Sequence, residues 1–241
     1  MEMAQIGECY EIKNIIDKTC IPDIMKNANS EIDQFIFQKY EKLEGNIFYI
    51  DNCYNPPGVA LVVTGINRGD PIIINEKYFL GPVGSQDFIE FRVNSMHNNN
   101  RESIGALNDH NRGTIAIALP KKGDIRRNQI RKGMIVMSSM NMNKYICYRF
   151  KAAITIFAKS VTVRTGYSPV IHLGTIRQSA KLILDPDENN GQDNIGFNAR
   201  TTNIAIVTFK FIANPEFIEP HSVFLFRSGD IHGLGVVLHS Y

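Results

Sequence analysis

The strongest constraint on the fold is a series of short apolar segments separated by glycine-containing turns in residues 57–82. The pattern predicts one strand at Val59–Val63, a turn at residues 67–70, a second strand at Ile72–Ile74 and a third at Tyr78–Leu80. Glycine adopts turn conformations that a Cβ would strain, and β-branched residues favour strands. This segment therefore predicts the corner of a small antiparallel barrel.

The same pattern of short strands and turns continues to residue 241, interrupted by a polar stretch at residues 185–203 that predicts a loop. Many short strands with Gly and Pro turns are typical of an all-β fold. We predict two consecutive small antiparallel β-barrels, at residues 47–143 and 144–241, behind a short helical N-terminal leader at residues 1–46. The further strands predicted are 88–93, 114–119, 134–137, 150–158, 170–173, 180–184, 204–211, 223–226 and 234–239.

The leader differs from the barrels in pattern and in charge. Ser30 is a plausible helix N-cap, and the apolar residues that follow it repeat at helical spacing up to Gly45. Residues 1–46 contain five Lys against nine Asp and Glu, a net charge of −4, whereas the rest contains 21 Lys and Arg against 15 acids. A mildly basic body is compatible with binding to a phosphate backbone.

Several functional classes are not expected from the composition. No apolar run approaches the roughly 18 residues of a membrane span, and a secretory signal is not expected. The four cysteines are scattered without metal-ligand spacing, and none of the six histidines lies in a nucleophile motif. We therefore expect a soluble, cytoplasmic protein without catalytic residues, a metal site, a membrane partner or a DNA partner.

Four segments in chain order carry a resemblance to a known family. They are the 57–82 segment, Ile-Arg-Lys-Gly-Met at 130–134, Thr-Gly-Tyr-Ser-Pro followed by His-Leu-Gly-Thr-Ile-Arg-Gln in 165–178, and the Gly-rich strands of 224–237. Together they resemble the second and third domains of translational GTPases of the elongation factor Tu superfamily. The sequence of residues 172–178 is most similar to that of the eukaryotic GTP-binding-protein branch of the superfamily. The resemblance implies two β-barrels that bind tRNA or the ribosome.

The GTPase domain of that family has no counterpart among these residues. A phosphate-binding loop needs a Gly-Lys pair at a helix start, and the sequence contains no Gly-Lys dipeptide and no Asn-Lys-x-Asp motif. We therefore expect no cofactor in this chain, with GTP and Mg²⁺ present only if a GTPase domain is supplied elsewhere. The leader is then a remnant of a GTPase-domain helix or a segment that docks a protein partner.

In the family, the second domain forms part of the pocket for the aminoacylated end of tRNA. The resemblance places Asp51, Asn52, Tyr54 and Thr64 on the wall of that pocket. An acid and an amide suit an amino group, and an aromatic ring suits the terminal adenine. The alternative is that Tyr54 belongs to the barrel core and Asp51 is a solvated strand end.

Residues 121–132 form the densest basic cluster, and Arg126, Arg127 and Arg131 are its predicted phosphate contacts. The alternative is a solvated loop between strands.

The resemblance directs one strand of the third domain towards a tRNA stem. On this strand the predicted RNA contacts are His172, Arg177 and Gln178; the alternative for His172 is a structural role.

The function predicted is thus an elongation factor-like, RNA-binding module without its own GTPase domain. The rival hypothesis is a protein-interaction or structural module that has lost translational activity.

Overall fold

The computed structural model describes residues 45–55, 61–84, 86–118, 129–157, 160–184, 194–198 and 204–241. Their regular structure is almost entirely antiparallel β-strand, arranged as two closed six-stranded barrels. The predicted all-β, two-barrel fold is confirmed. The predicted leader helix lies outside the described residues.

The first barrel is closed by strands in the order β4-β9-β1-β2-β8-β5, with β5 pairing back to β4. Strand β6 extends this sheet beside β5, and β3 pairs with β7 in a separate two-stranded sheet. The strands are β1 (Asn46–Tyr54), β2 (Leu61–Gly69), β3 (Ile72–Ile73), β4 (Lys77–Val83), β5 (Asp87–Asn98), β6 (Ser103–Ile104), β7 (Ala106–Leu107), β8 (Arg112–Ala118) and β9 (Ile135–Met137).

A 3-10 helix, Met140–Tyr145, connects the barrels and contains the predicted boundary between residues 143 and 144. The second barrel has the order β11-β16-β14-β13-β18-β19, closed by pairing of β19 with β11. Two small sheets, β10-β17 and β12-β15, lie outside it. The strands are β10 (Ile146–Cys147), β11 (Arg149–Ile156), β12 (Ser160–Arg164), β13 (Val170–Leu173), β14 (Ile176–Ile183), β15 (Asn194–Asn198), β16 (Ala205–Phe211), β17 (Glu216–Phe217), β18 (Val223–Ser228) and β19 (Ile231–Ser240).

Alternation of apolar and polar residues builds each core. In β16 the side chains of Ala205, Val207, Phe209 and Phe211 are buried, and those between them face outwards, as period-two side-chain geometry requires. The centre of the second barrel is aromatic, with the ring of Phe150 5.4–5.5 Å from three neighbouring phenylalanine rings. These packed rings bury a large apolar surface and stabilise the closed barrel.

Four predicted segments differ from the structure. Strand β2 continues through the predicted turn to Gly69, and Ile72–Ile73 pairs with β7 rather than with β2. The third predicted strand runs on to Val83. The polar stretch 185–203, predicted as a loop, contains β15, which pairs with β12.

The two barrels share a small apolar core of their own. Ile47, Ile135 and Met137 from the first barrel pack with Met142 of the connecting helix and with Phe217 of β17. Burial of these side chains away from water favours a fixed arrangement of the two barrels. The polar residues beside this junction are described below.

Candidate nucleic-acid interface

The carboxylate of Asp51 on β1 contacts side chains from two further strands of the first barrel, β2 and β8. Strands β1 and β2 pair Ile50 with Gly65 and Asn52 with Thr64, so Asp51 is the extra residue of a β-bulge. Asp51 Oδ1 accepts a 2.6 Å hydrogen bond from Thr64 Oγ1, and Oδ2 forms an ion pair with the guanidinium of Arg112 on β8. A bulge re-aims a side chain and bends the strand, and here it turns the carboxylate towards its two partners.

Beyond the bulge, Tyr54 faces outwards. Its side chain is 49% exposed, and its hydroxyl accepts a 3.0 Å hydrogen bond from Asn52 Nδ2. The alternative that Tyr54 belongs to the barrel core is therefore excluded. Cys53, between them, packs against the core instead, and burial raises its pKa to about 11, so the thiol stays protonated.

An open groove of about 580 Å³ lies beside this cluster, and Arg112 lines it as well as holding Asp51. The groove is rich in side-chain amides, which donate and accept hydrogen bonds and so suit the edges of unpaired bases. The amides are those of Asn98, Asn99, Asn100, Asn108 and Asn111. Sequence reasoning assigned these residues only to polar loops; their density between two predicted strands is the signal that could have indicated a site.

Arg131 lies at the junction between the barrels. Its Nη1 is 2.8 Å from Glu216 Oε1, and its Nη2 donates a 3.0 Å hydrogen bond to the carbonyl oxygen of Pro215. Glu216 is 1% exposed. Burial raises the pKa of Glu216 to about 7, and Arg131 and Gln178 oppose that rise.

Gln178 reaches the same carboxylate from β14. Its Nε2 donates to Glu216 Oε1 at 2.7 Å and to the carbonyl oxygen of Asn214 at 3.1 Å, while its Oε1 accepts from the N–H of Asn214 at 2.7 Å. These bonds engage both ends of the amide. The structure thus brings two of the predicted RNA contacts, Arg131 and Gln178, together within the protein at Glu216.

A second polar bridge crosses the junction. The hydroxyl of Tyr49 donates a short hydrogen bond to Glu219 Oε1. Burial raises the pKa of both groups, so the phenol keeps its proton. Among the described residues, the junction therefore has a buried acid, Glu216, and a half-buried one, Glu219, each hydrogen-bonded to the first barrel.

His172 and Arg177 are directly opposite each other on β13 and β14. Arg177 is exposed and His172 is half-buried. Burial lowers the pKa of His172, and the charges of Arg177 and Arg227 lower it further, so the imidazole is neutral at neutral pH. Arg126 and Arg127 lie outside the described residues. Among the residues described, no three His, Cys, Asp or Glu side chains are grouped to hold a metal ion.

Curated relatives match most of this chain. GTP-binding protein 2 of Mus musculus and of Homo sapiens are each 32% identical over 190 residues, which is 79% of this chain and 29% of each relative. GTP-binding protein 1 of Xenopus laevis is 32% identical over 190 residues, 79% of this chain and 27% of that protein. This chain is therefore homologous to GTP-binding proteins of the elongation factor Tu-like family. No protein-family model matches it.

The chain spans 29% of the length of the GTP-binding protein 2 relatives. The match of 190 residues is longer than either barrel, so it includes residues of both. In the part of the chain that the structure describes, no helix has the length and apolarity that crossing a membrane requires.

Two of the segments that resemble the family owe their glycines to close packing. Gly133 has a φ of +92°, and a Cβ there would lie 3.2 Å from Arg131 Nη1 and 3.4 Å from Glu216 Oε2. In β19 a Cβ at Gly233 would lie 2.1 Å from the ring of Phe226. Gly133 thus leaves room for the side chains at the barrel junction, and Gly233 leaves room for a ring in the core of the second barrel.

Proposed function

We propose that the two barrels are the RNA-binding part of a translation elongation factor-like protein, and that the first barrel holds the aminoacylated end of tRNA. The observation that carries the proposal is the arrangement at the β1 bulge. Tyr54 offers an exposed ring at the end of β1, while Thr64 and Arg112 hold the carboxylate of Asp51 on the same strand. A ring for stacking next to a fixed acid suits a terminal adenosine that carries an amino acid.

Arg112 supports the same function from the groove. Its side chain is 57% exposed although it is paired with Asp51. A guanidinium that is fixed by one carboxylate keeps donors available for a phosphate, so the groove beside it suits the nucleotides that precede the tRNA end. The body of the tRNA, or ribosomal RNA, then lies along the second barrel near His172 and Arg177.

The relatives are named GTP-binding proteins, and these names are the only basis for including GTP in the proposal. Because the sequence contains neither a Gly-Lys dipeptide nor an Asn-Lys-x-Asp motif, we propose that GTP and Mg²⁺ are held by residues outside these 241 residues, in the same protein or in a partner. Such a protein works in the cytoplasm, where translation takes place.

Filter binding of aminoacyl-tRNA tests the proposal. Stacking of a base on an aromatic ring contributes roughly 1–3 kcal/mol, so Tyr54→Ala is expected to weaken binding by about 5- to 150-fold. Phe157→Ala removes another exposed ring, on the second barrel, and is the matched control. No binding by the unaltered chain at low or moderate salt, or equal losses in both variants, contradicts the proposal.

A protein-interaction module is the second candidate, and one observation favours it. Val223 and Leu225 lie side by side on the outer face of β18, and both are more than half exposed. Adjacent exposed apolar side chains are typical of protein-binding surfaces. Loss of partner binding in a Leu225→Ser variant that binds aminoacyl-tRNA normally assigns this face to a protein partner alongside the RNA.

A further inference from the structure

Three cations form a row across the outer face of the second barrel. Arg149 on β11 is opposite Lys210 on β16, and Lys210 is opposite Lys181 on β14. All three residues are exposed. Since neighbouring strands are about 4.8 Å apart, the three side chains leave the barrel within about 10 Å of one another. We call these three residues the basic row.

The basic row has a cost within the fold. Like charges directly opposite each other on neighbouring strands destabilise a sheet. Among the described residues, none of the three cations lies within ion-pair distance of an acid. In the neighbouring row Thr208 and Ile183 carry no charge, and Lys151, opposite Thr208, is a further basic residue. The first barrel offers a contrast, since its opposed cations, Lys77 and Arg92, have Glu90 2.6 Å from the lysine.

An exposed aromatic ring continues the basic row. The N–H of Tyr241 donates a 2.9 Å hydrogen bond to the carbonyl oxygen of Arg149, which places Tyr241 beside that residue on the same outer face. Tyr241 is 60% exposed, and its ring packs edge-on against His239 at 4.9 Å between centroids. His239 is itself opposite Lys151 on β11.

We propose that the basic row and Tyr241 bind single-stranded nucleic acid, with phosphates on the cations and a base stacked on the ring. Proteins that bind single strands combine a cationic track with an aromatic platform, since each base has an exposed face. A duplex hides its base faces, and an acidic peptide uses the cations but has no base for the ring. This surface lies on the second barrel and does not depend on the proposed tRNA-end site at Tyr54.

Fluorescence anisotropy with the full chain and a labelled oligouridine of about 15 nucleotides tests the proposal. Each phosphate contact to a single strand contributes a slope of about 0.7 to the dependence of log K on log salt. Lys181→Gln with Lys210→Gln should therefore lower that slope by about 1.4, and weaken binding about 25-fold at about 0.1 M salt. Tyr241→Leu should weaken binding by about 5- to 150-fold at an unchanged slope.

The matched control removes the same charge from the first barrel. Lys77→Gln with Arg92→Gln neutralises two opposed, exposed cations and should leave both affinity and slope unchanged. Phe157→Ala removes an exposed ring outside the basic row and should also leave oligouridine binding unchanged. The tRNA-end proposal is tested by Tyr54→Ala with aminoacyl-tRNA, and this one by the basic-row variants with oligouridine, so failure of one is distinguishable from failure of the other. The proposal would be overturned if the two double variants lost the same affinity for oligouridine. It would also be overturned if an RNA duplex bound more tightly than oligouridine, or if a polyglutamate peptide competed as well as unlabelled oligouridine.

Discussion

Glu216 makes the stability of the barrel junction depend on pH. Burial raises its pKa from 4.5 to about 7, although Arg131 and Gln178 act in the opposite direction. A rise of about 2.5 pH units, at about 1.36 kcal/mol per unit, corresponds to about 3 kcal/mol. Because the pKa of this acid is raised, its contribution to stability is complete below about pH 4.5 and is lost as the pH rises through about 7.

Glu216→Gln removes this titration and keeps the shape of the side chain. Between about pH 5.5 and about pH 8, the free energy of unfolding of the unaltered chain should fall by about 2 kcal/mol more than that of the variant. Urea unfolding of both proteins at the two pH values measures this difference, in which other titrating groups cancel. Glu90→Gln, at an exposed ion pair with Lys77, is the control and should change stability by less than about 1 kcal/mol at either pH. Identical pH dependence in the unaltered chain and Glu216→Gln would refute the reasoning.

Three further outcomes are expected. Gly233→Ala should lower the free energy of unfolding by about 1–3 kcal/mol because its Cβ would overlap the Phe226 ring, whereas Gly105→Ala, with open space around it, should lower it little or not at all; urea unfolding compares them. Phe150→Ala should cost about 3–5 kcal/mol by the same assay, since its ring fills the centre of the second barrel; a cost below about 1 kcal/mol contradicts the packing. Thr64→Val removes one hydrogen bond to the bulge carboxylate and should weaken aminoacyl-tRNA binding about fivefold in filter binding; unchanged affinity shows that this bond does not position the site.

The strands could be predicted because the alternation of apolar and polar residues that defines a strand lies within a few consecutive residues. Alternation of apolar residues indicated the strand that became β16, and glycines indicated turns between strands. The predicted turn at residues 67–70 was wrong for a reason that is not local. Asn67 is fully buried, and its Nδ2 donates to the carbonyl oxygens of Asp70 at 2.9 Å and Leu107 at 3.0 Å. A polar residue that is typical of turns can continue a strand when a residue distant in sequence, here Leu107, accepts its hydrogen bond.

The candidate site was predictable only in part, for the same reason. Asp51 and Thr64 share one hairpin, whereas Arg112 reaches the carboxylate from a strand 61 residues away from Asp51. Arg131 and Glu216 are 85 residues apart in sequence, and Gln178 is 38 residues from Glu216. A basic residue that pairs with a buried acid has the same sequence signature as one that contacts phosphate. Only the pairing of strands separates the two roles.

The affinity of the chain for aminoacylated tRNA, relative to the same tRNA without its amino acid, tests the central claim most directly. A hydrogen bond to a charged group contributes about 1.5–3 kcal/mol, so the aminoacylated form should bind at least about tenfold more tightly. Asp51→Ala should abolish that ratio while the deacylated tRNA still binds. Equal affinity for the two forms in the unaltered chain would contradict the account, and so would a ratio that survives Asp51→Ala.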